Sequence, residues 1–144
     1  ELEALKDQAA RQEEKYLRLA AEYDNFRKRT AKEKEAIWND AKADAALAFL
    51  PVYDNLERAL KQETADEAYK KGVEMTMNQL KTVLEKLGIT EIEALGQPFD
   101  PALHNAVMHI EDENFGENTV AEVFQAGFRL GDKVVRFAMV KVAN

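Results

Sequence analysis

From Glu1 to about Phe49 the chain has neither Pro nor Gly and is built from Ala, Leu, Glu, Lys, Arg and Gln, which predicts one long helix. Leu2, Leu5, Ala9, Tyr16, Leu19, Tyr23 and Phe26 fall on alternating steps of three and four, with Gln12 the polar exception. That spacing is a heptad seam. Beyond Thr30 the same register puts Glu33 and Asp40 in the seam, whereas Ile37, Trp38, Ala41, Ala45 and Ala48 trace a shifted stripe. A stutter is expected there. A helix of about 50 residues is roughly 75 Å long, more than the remaining residues can cover, so the stripe needs a second chain. A parallel homodimer supplies one in register, with Tyr16, Leu19, Tyr23 and Phe26 in its interface.

Leu50-Pro51 is expected to end or kink this helix, because Pro lacks the N–H and disfavours helical geometry in the residue before it. Val52, Leu56, Ala59 and Leu60 then read as a short amphipathic helix, and Thr64-Ala65-Asp66-Glu67 matches a capping box that opens a third. Gly88 closes that helix. Val73, Met77, Leu80, Leu84 and Leu87 give it one apolar face, and Gly72, which costs about 1 kcal/mol relative to Ala, is read as a place where helices approach closely. Two such hairpins make a four-helix bundle in a dimer, which puts Val73, Met77, Leu80 and Leu84 in the dimer interface.

After Gly88 the period becomes that of strands. Gly96, Pro98 and Pro101 mark loops, and Val107 to Ile110, Thr119 to Leu130 and Lys133 to Val142 are rich in β-branched and apolar residues. Gly131-Asp132 suits a two-residue hairpin turn with Gly first. The expected fold class is therefore α+β, with a long parallel coiled-coil helix over 1–50, a helical hairpin over 51–88 and a small β domain over 89–144.

Composition narrows the chemistry. Hydrophobic residues make up 46% of the 144, enough for a core, but no run of eighteen apolar residues exists, so no membrane partner or span is expected. The opening ELEALKDQ lacks the basic and apolar regions of a targeting segment. A formal net charge of −7 argues against broad nucleic-acid binding. With no Cys, disulfides and thiolates are excluded, which suits a reducing compartment. Ser is also absent, and neither GxGxxG nor GxxxxGK[ST] occurs, so a serine nucleophile and a phosphate-cradling loop are excluded. His104, His109 and the acidic run Glu111-Asp112-Glu113 match no metal-ligand spacing. Asp100, between Phe99 and Pro101, reads as a turn residue rather than a general base.

One stretch stands against the acidic average. In AEYDNFRKRTAKEK, Arg27, Lys28, Arg29, Lys32 and Lys34 crowd the positions after Tyr23 and Phe26, all of them off the seam. Its bland reading is a solvated face with Glu33 and Glu35 as local partners. Its sharper reading is a docking patch for an acidic protein surface, held on a rigid rod.

AEYDNFRKRT, LPVYDNLERAL, FDPALHNAV and NTVAEVFQAGFRLGDKVVRFAMVKV, in that order, resemble the GrpE family, nucleotide exchange factors of the DnaK chaperone. The resemblance implies a parallel dimer with a long paired helix, a central four-helix bundle and a β domain that enters the cleft of the DnaK ATPase domain. It implies partner-facing roles for Arg27 and Lys28 on the helix and for Phe99, Pro101, Phe124, Lys133 and Val142 on the β domain. Arg136 is added to that set on this reading's own account. Phe124 and Val142 lie on strands, where a place in the core is an equal alternative. Lys133 stands where the family often has Arg, which keeps the charge but loses bidentate pairing. The function implied is cytoplasmic and conformational, with no enzyme activity, cofactor, metal or small-molecule substrate of its own. The alternatives are a coiled-coil scaffold or adaptor whose β module binds another protein and, last, a metal enzyme built around His104 and Glu111.

Overall fold

The first helix, α1, runs from Leu2 to Leu60 in the computed structural model, which describes residues 1–144. A second helix, α2 (Glu67–Lys86), follows, and then six strands: β1 (Ile89–Glu91), β2 (His104–Ile110), β3 (Thr119–Gln125), β4 (Phe128–Leu130), β5 (Lys133–Arg136) and β6 (Ala138–Ala143). The expected α+β class holds. The chain divides into two units, Glu1–Asp40 and Ala41–Asn144.

The first unit is helix alone, laced by ion pairs at one-turn spacing, Lys6–Glu3, Arg18–Glu14, Lys28–Asp24 and Arg29–Glu33. Such exposed pairs contribute about 0.3–0.5 kcal/mol each. Its apolar seam meets nothing within the chain: Tyr16, Leu19, Tyr23 and Phe26 are 51 to 70% exposed.

The second unit has a core, and it corrects one reading of the helix. Of the two outcomes expected at Pro51, an end or a kink, the end does not occur, for α1 continues to Leu60 with Pro51 inside it and no separate helix starts at Val52. Pro51 cannot donate to the Leu47 carbonyl, a defect of about 3 kcal/mol in a helix interior. Leu50 and Tyr53, on either side of it, are both buried against α2 and the strands, and that packing holds the segment helical. Within the chain the inward stripe is Ala43, Ala46, Leu50 and Tyr53, while Ala41, Ala45, Ala48 and Val52 are exposed.

Helix α2 starts two residues later than expected. Asp66 is the N-cap: its side chain accepts from the Tyr69 N–H at 3.0 Å, and Thr64 Oγ1 in turn accepts from the Asp66 N–H. Glu67 therefore lies at the first helical position, where its charge suits the helix dipole. At the other end Gly88 takes φ +80°, the left-handed conformation that terminates a helix cheaply only in glycine. Met77 and Leu84 are buried in the same core as Leu50, with Leu80 packed beside them. Val73 is half-buried, so the four residues assigned to a dimer interface form one face. Within the chain, α1 and the strands take up Met77, Leu80 and Leu84.

Within the chain, a Cβ placed at Gly72 meets nothing within 4 Å, so no intrachain helix contact requires the glycine. Gly72→Ala should thus raise stability by about 0.5–1 kcal/mol through a stiffer unfolded chain. Urea denaturation measures this, and an unchanged or lowered midpoint would place another surface against Gly72.

The β module holds two three-stranded sheets. In one, β4 lies between β1 and β5 with every pair antiparallel; in the other, β6 lies between β2, parallel to it, and β3, antiparallel. The hairpin at Gly131-Asp132 forms as expected, with Gly131 at φ +57° and Asp132 not left-handed, as a Gly-first turn requires. The two long strands expected after residue 119 are each divided, at Ala126-Gly127 and at Phe137. Phe128 from the first sheet joins the helical core, whereas Val120, Ala138, Val140 and Val142 form a second core with Ala94.

Candidate partner-binding surfaces

On the first unit, Arg27 and Lys28 are exposed, as an off-seam position demands. Lys28 Nζ lies 2.9 Å from Asp24, and Arg29 both pairs with Glu33 at 3.9 Å and sits 5.7 Å from the Phe26 ring centre. Tyr23 and Phe26 stack at 6.5 Å. Asp24, Phe26, Arg27, Lys28, Thr30, Ala31 and Lys34 line a shallow recess of the helix surface. The face is a ready cationic strip whose local pairs are worth little in water and are easily exchanged.

On the second unit the expected contact residues differ in exposure. Lys133 and Pro101 are exposed, Lys133 directly after the Gly131-Asp132 turn. Phe124 is 43% exposed, with Lys141 Nζ 5.4 Å from its ring centre and Glu122 holding Lys141 at 2.6 Å. Phe99 is half-buried against the second core, its N–H donating to the Asn118 carbonyl. Val142 is a correction: it is buried, on the same face of β6 as Val140, and serves the core.

Arg136 is also a correction. Its guanidinium forms a fork on Asp54 of α1, Nη1 to Oδ2 at 2.8 Å and Nη2 to Oδ1 at 2.7 Å, and donates from Nε and Nη2 to the Ala126 carbonyl. Only 14% of its side chain is exposed, so it faces inward. Sequence reasoning missed Asp54 as its partner. The available signal was that Asp54 stands one turn after Leu50, at the edge of the buried stripe.

The remaining candidates for chemistry have structural explanations. Asp100 Oδ1 accepts from the Ala102 N–H and the Asp100 carbonyl accepts from those of Leu103 and His104, which makes it a turn residue. His104 is buried, and its Nδ1 accepts from the Asp100 N–H at 3.0 Å, so the proton of the neutral ring sits on Nε2. No group of three or more His, Asp or Glu side chains converges as metal ligands. The turn at Asp112 is clasped by Asn144, whose Nδ2 donates to the carbonyls of Asp112 and Phe115.

Burial lowers the His104 pKa from 6.5, against the opposing charge of Asp100. The unfolded chain then takes up a proton near pH 6.5 while the folded one resists it, so stability is full above that pH and falls below it. Melting from about pH 7.5 to about pH 5.5 should show a falling midpoint that flattens in His104→Gln. Identical profiles for the two would remove His104 as the cause.

No helix of the chain is long and apolar enough to cross a membrane. The family model described as GrpE matches residues 1–144. Among curated relatives, Protein GrpE of Clostridium acetobutylicum is 58% identical over 144 residues, covering 100% of this chain and 68% of that protein. Protein GrpE of Clostridium beijerinckii is 57% identical over 131 residues, 91% of this chain and 63% of the relative. That of Clostridium perfringens is 52% identical over 144 residues, 100% and 65% respectively. The chain thus spans about two thirds of the length of these relatives. With a match that runs through the basic stretch of α1, both helices and the whole β module, the chain belongs to the GrpE family.

Proposed function

We propose that the chain works as a parallel homodimer that binds the ATPase domain of the DnaK chaperone and accelerates its release of ADP. The observation that carries this reading is the family match over the full length of the chain. Arg27 and Lys28 on the first unit, and Phe99, Pro101, Phe124 and Lys133 on the second, are the contact residues; Val142 and Arg136 leave that set because they face inward.

The mechanism needs no bond chemistry in this chain. A protein that binds the open, nucleotide-free ATPase domain more tightly than the closed ADP-bound one must weaken ADP binding by the same factor. ADP then leaves faster, and ATP, which favours the closed cleft, expels the exchange factor. The ATPase chemistry stays with DnaK, and the two proteins share the cytoplasm. Calorimetric titration of the ATPase domain tests this coupling. Binding should be tight without nucleotide, weaker in ADP by the factor with which this protein weakens ADP, and lost in ATP. Equal affinity in all states would contradict it.

The dimer follows from the exposed seam from Leu2 to Phe26, which no part of the chain covers. Light scattering should give about twice the 16.3 kDa chain mass. A monomer at micromolar concentration would exclude the parallel pair.

A further inference from the structure

The inward turn of Arg136 raises the question of what its guanidinium holds. Asp54 lies on α1, yet its carboxylate is gripped from two strands at once. Arg136, at the end of β5, forks onto both oxygens, and Gln125, at the end of β3, donates from Nε2 to Oδ2 at 3.2 Å. Those strands belong to different sheets. Between the sheets runs the link Ala126-Gly127, and Arg136 fixes it too, through the Ala126 carbonyl. The same guanidinium lies 5.7 Å from the Phe128 ring centre, and Phe128 meets Tyr53 edge-on at 4.9 Å. Tyr53 in turn donates to Glu91 on β1 at 3.3 Å. Two successive helix residues therefore reach β1, β3, β4 and β5.

We infer that Asp54 and Arg136 are positioning residues: their pair is the joint that fixes the angle of the β module on residues 41–60 of α1. Through that angle it governs how fast the bound partner is opened, a second step that rests on the exchange-factor reading above. A pair with 14 and 20% of its side chains exposed has lost most of its hydration. Its Coulomb gain is largely offset by desolvation, so it adds little net stability. What the fork does supply is direction. Guanidinium and carboxylate are planar, and with the Ala126 carbonyl a third acceptor in the set, one arrangement satisfies all of them. A lysine would supply charge without the fork and would leave the link between the sheets unheld.

The test uses the full chain and three variants: Arg136→Lys, Asp54→Asn, and the exchange Asp54→Arg with Arg136→Asp. Because the chain has no Cys, spin labels placed at Arg58→Cys and Glu117→Cys are unique, and diluting labelled chains with unlabelled ones isolates the intrachain distance. The parent should give one narrow distance distribution. In Arg136→Lys, whose charge and aliphatic stem keep it folded, the distribution should broaden while the circular dichroism is unchanged. In ADP release from DnaK, Arg136→Lys and Asp54→Asn should lower the maximal rate about tenfold with less than about a threefold change in the half-saturating concentration. The exchange variant should recover part of both readouts. A narrow, unshifted distribution in Arg136→Lys overturns the joint, whatever the kinetics. A broadened distribution with the parent's maximal rate overturns its link to partner opening. If the parent itself fails to speed ADP release, the exchange-factor reading falls, and the distance measurement alone decides the joint.

Discussion

Gly127→Ala is expected to be the most destabilising single-methyl change in the β module. A Cβ at this position would lie 2.4 Å from the Ala138 nitrogen and 2.9 Å from its Cα, so backbone must move to admit it. The backbone it would push is committed: the Ala138 N–H donates to the Leu103 carbonyl, and the Gly127 carbonyl accepts from the Ile92 N–H at 2.8 Å. Overpacking of this kind costs about 1–3 kcal/mol, and disturbing two backbone hydrogen bonds adds about 1 kcal/mol each. The sum, about 3–5 kcal/mol, is a large part of the 5–15 kcal/mol that holds a typical domain folded. Denaturant unfolding followed by near-ultraviolet dichroism measures it. Adding Ala138→Gly should recover only part of the loss, since that change removes the side-chain clash and leaves the one with the Ala138 nitrogen. A loss under about 0.5 kcal/mol, the usual size for a surface substitution, would mean that the corner between β3 and β4 is looser than described.

Reversing the charge of the basic strip should act on binding and leave folding alone. Arg27→Glu with Lys28→Glu changes exposed, off-seam positions, and the one ion pair broken, Lys28–Asp24, is worth at most about 1 kcal/mol. Secondary structure and the mass in solution should be those of the parent. Partner binding, by contrast, loses two attractive charges and gains two repulsive ones, which should cost about 1–3 kcal/mol, or roughly fivefold to 150-fold in affinity. The loss should appear as slower association that depends on salt, because steering by exposed charge is screened. Lys133→Glu should weaken binding in the same direction from the β module. Parent-like association by both folded variants would return AEYDNFRKRTAKEK to a merely solvated face.

What was legible in the sequence depended on contrast. Val73, Met77, Leu80 and Leu84 stand out from charged neighbours at one period, and the structure puts them on one face. The inward stripe of α1 after residue 40 was hidden because alanines occupy every side of the helix, so Ala43 and Ala46 look no different from Ala41, Ala45 and Ala48. Local rules failed where packing outweighed them, as at Pro51, and where two cap residues stood close together, as at Thr64 and Asp66. Strand β1 is three residues long and pairs with Leu130, Arg129 and Phe128, a partnership that no local pattern carries.

The exposure of the candidate contact residues was legible to the same degree. Lys133 was placed by its turn and Arg27 by its register, both local features. Phe124 and Val142 were placed on strands, but nothing local could say whether each met the core. Asp54 and Arg136 stand far apart in the chain, so their joint becomes visible only once the fold brings them together.

Release of labelled ADP from DnaK, measured with and without this chain, tests the central claim most directly. The account predicts that the release rate rises with the concentration of this protein, saturates when the ATPase domain is fully bound, and returns to its unassisted value when Arg27, Lys28 and Lys133 are all replaced by Glu. A release rate that stays the same at every concentration of the folded parent protein would contradict it.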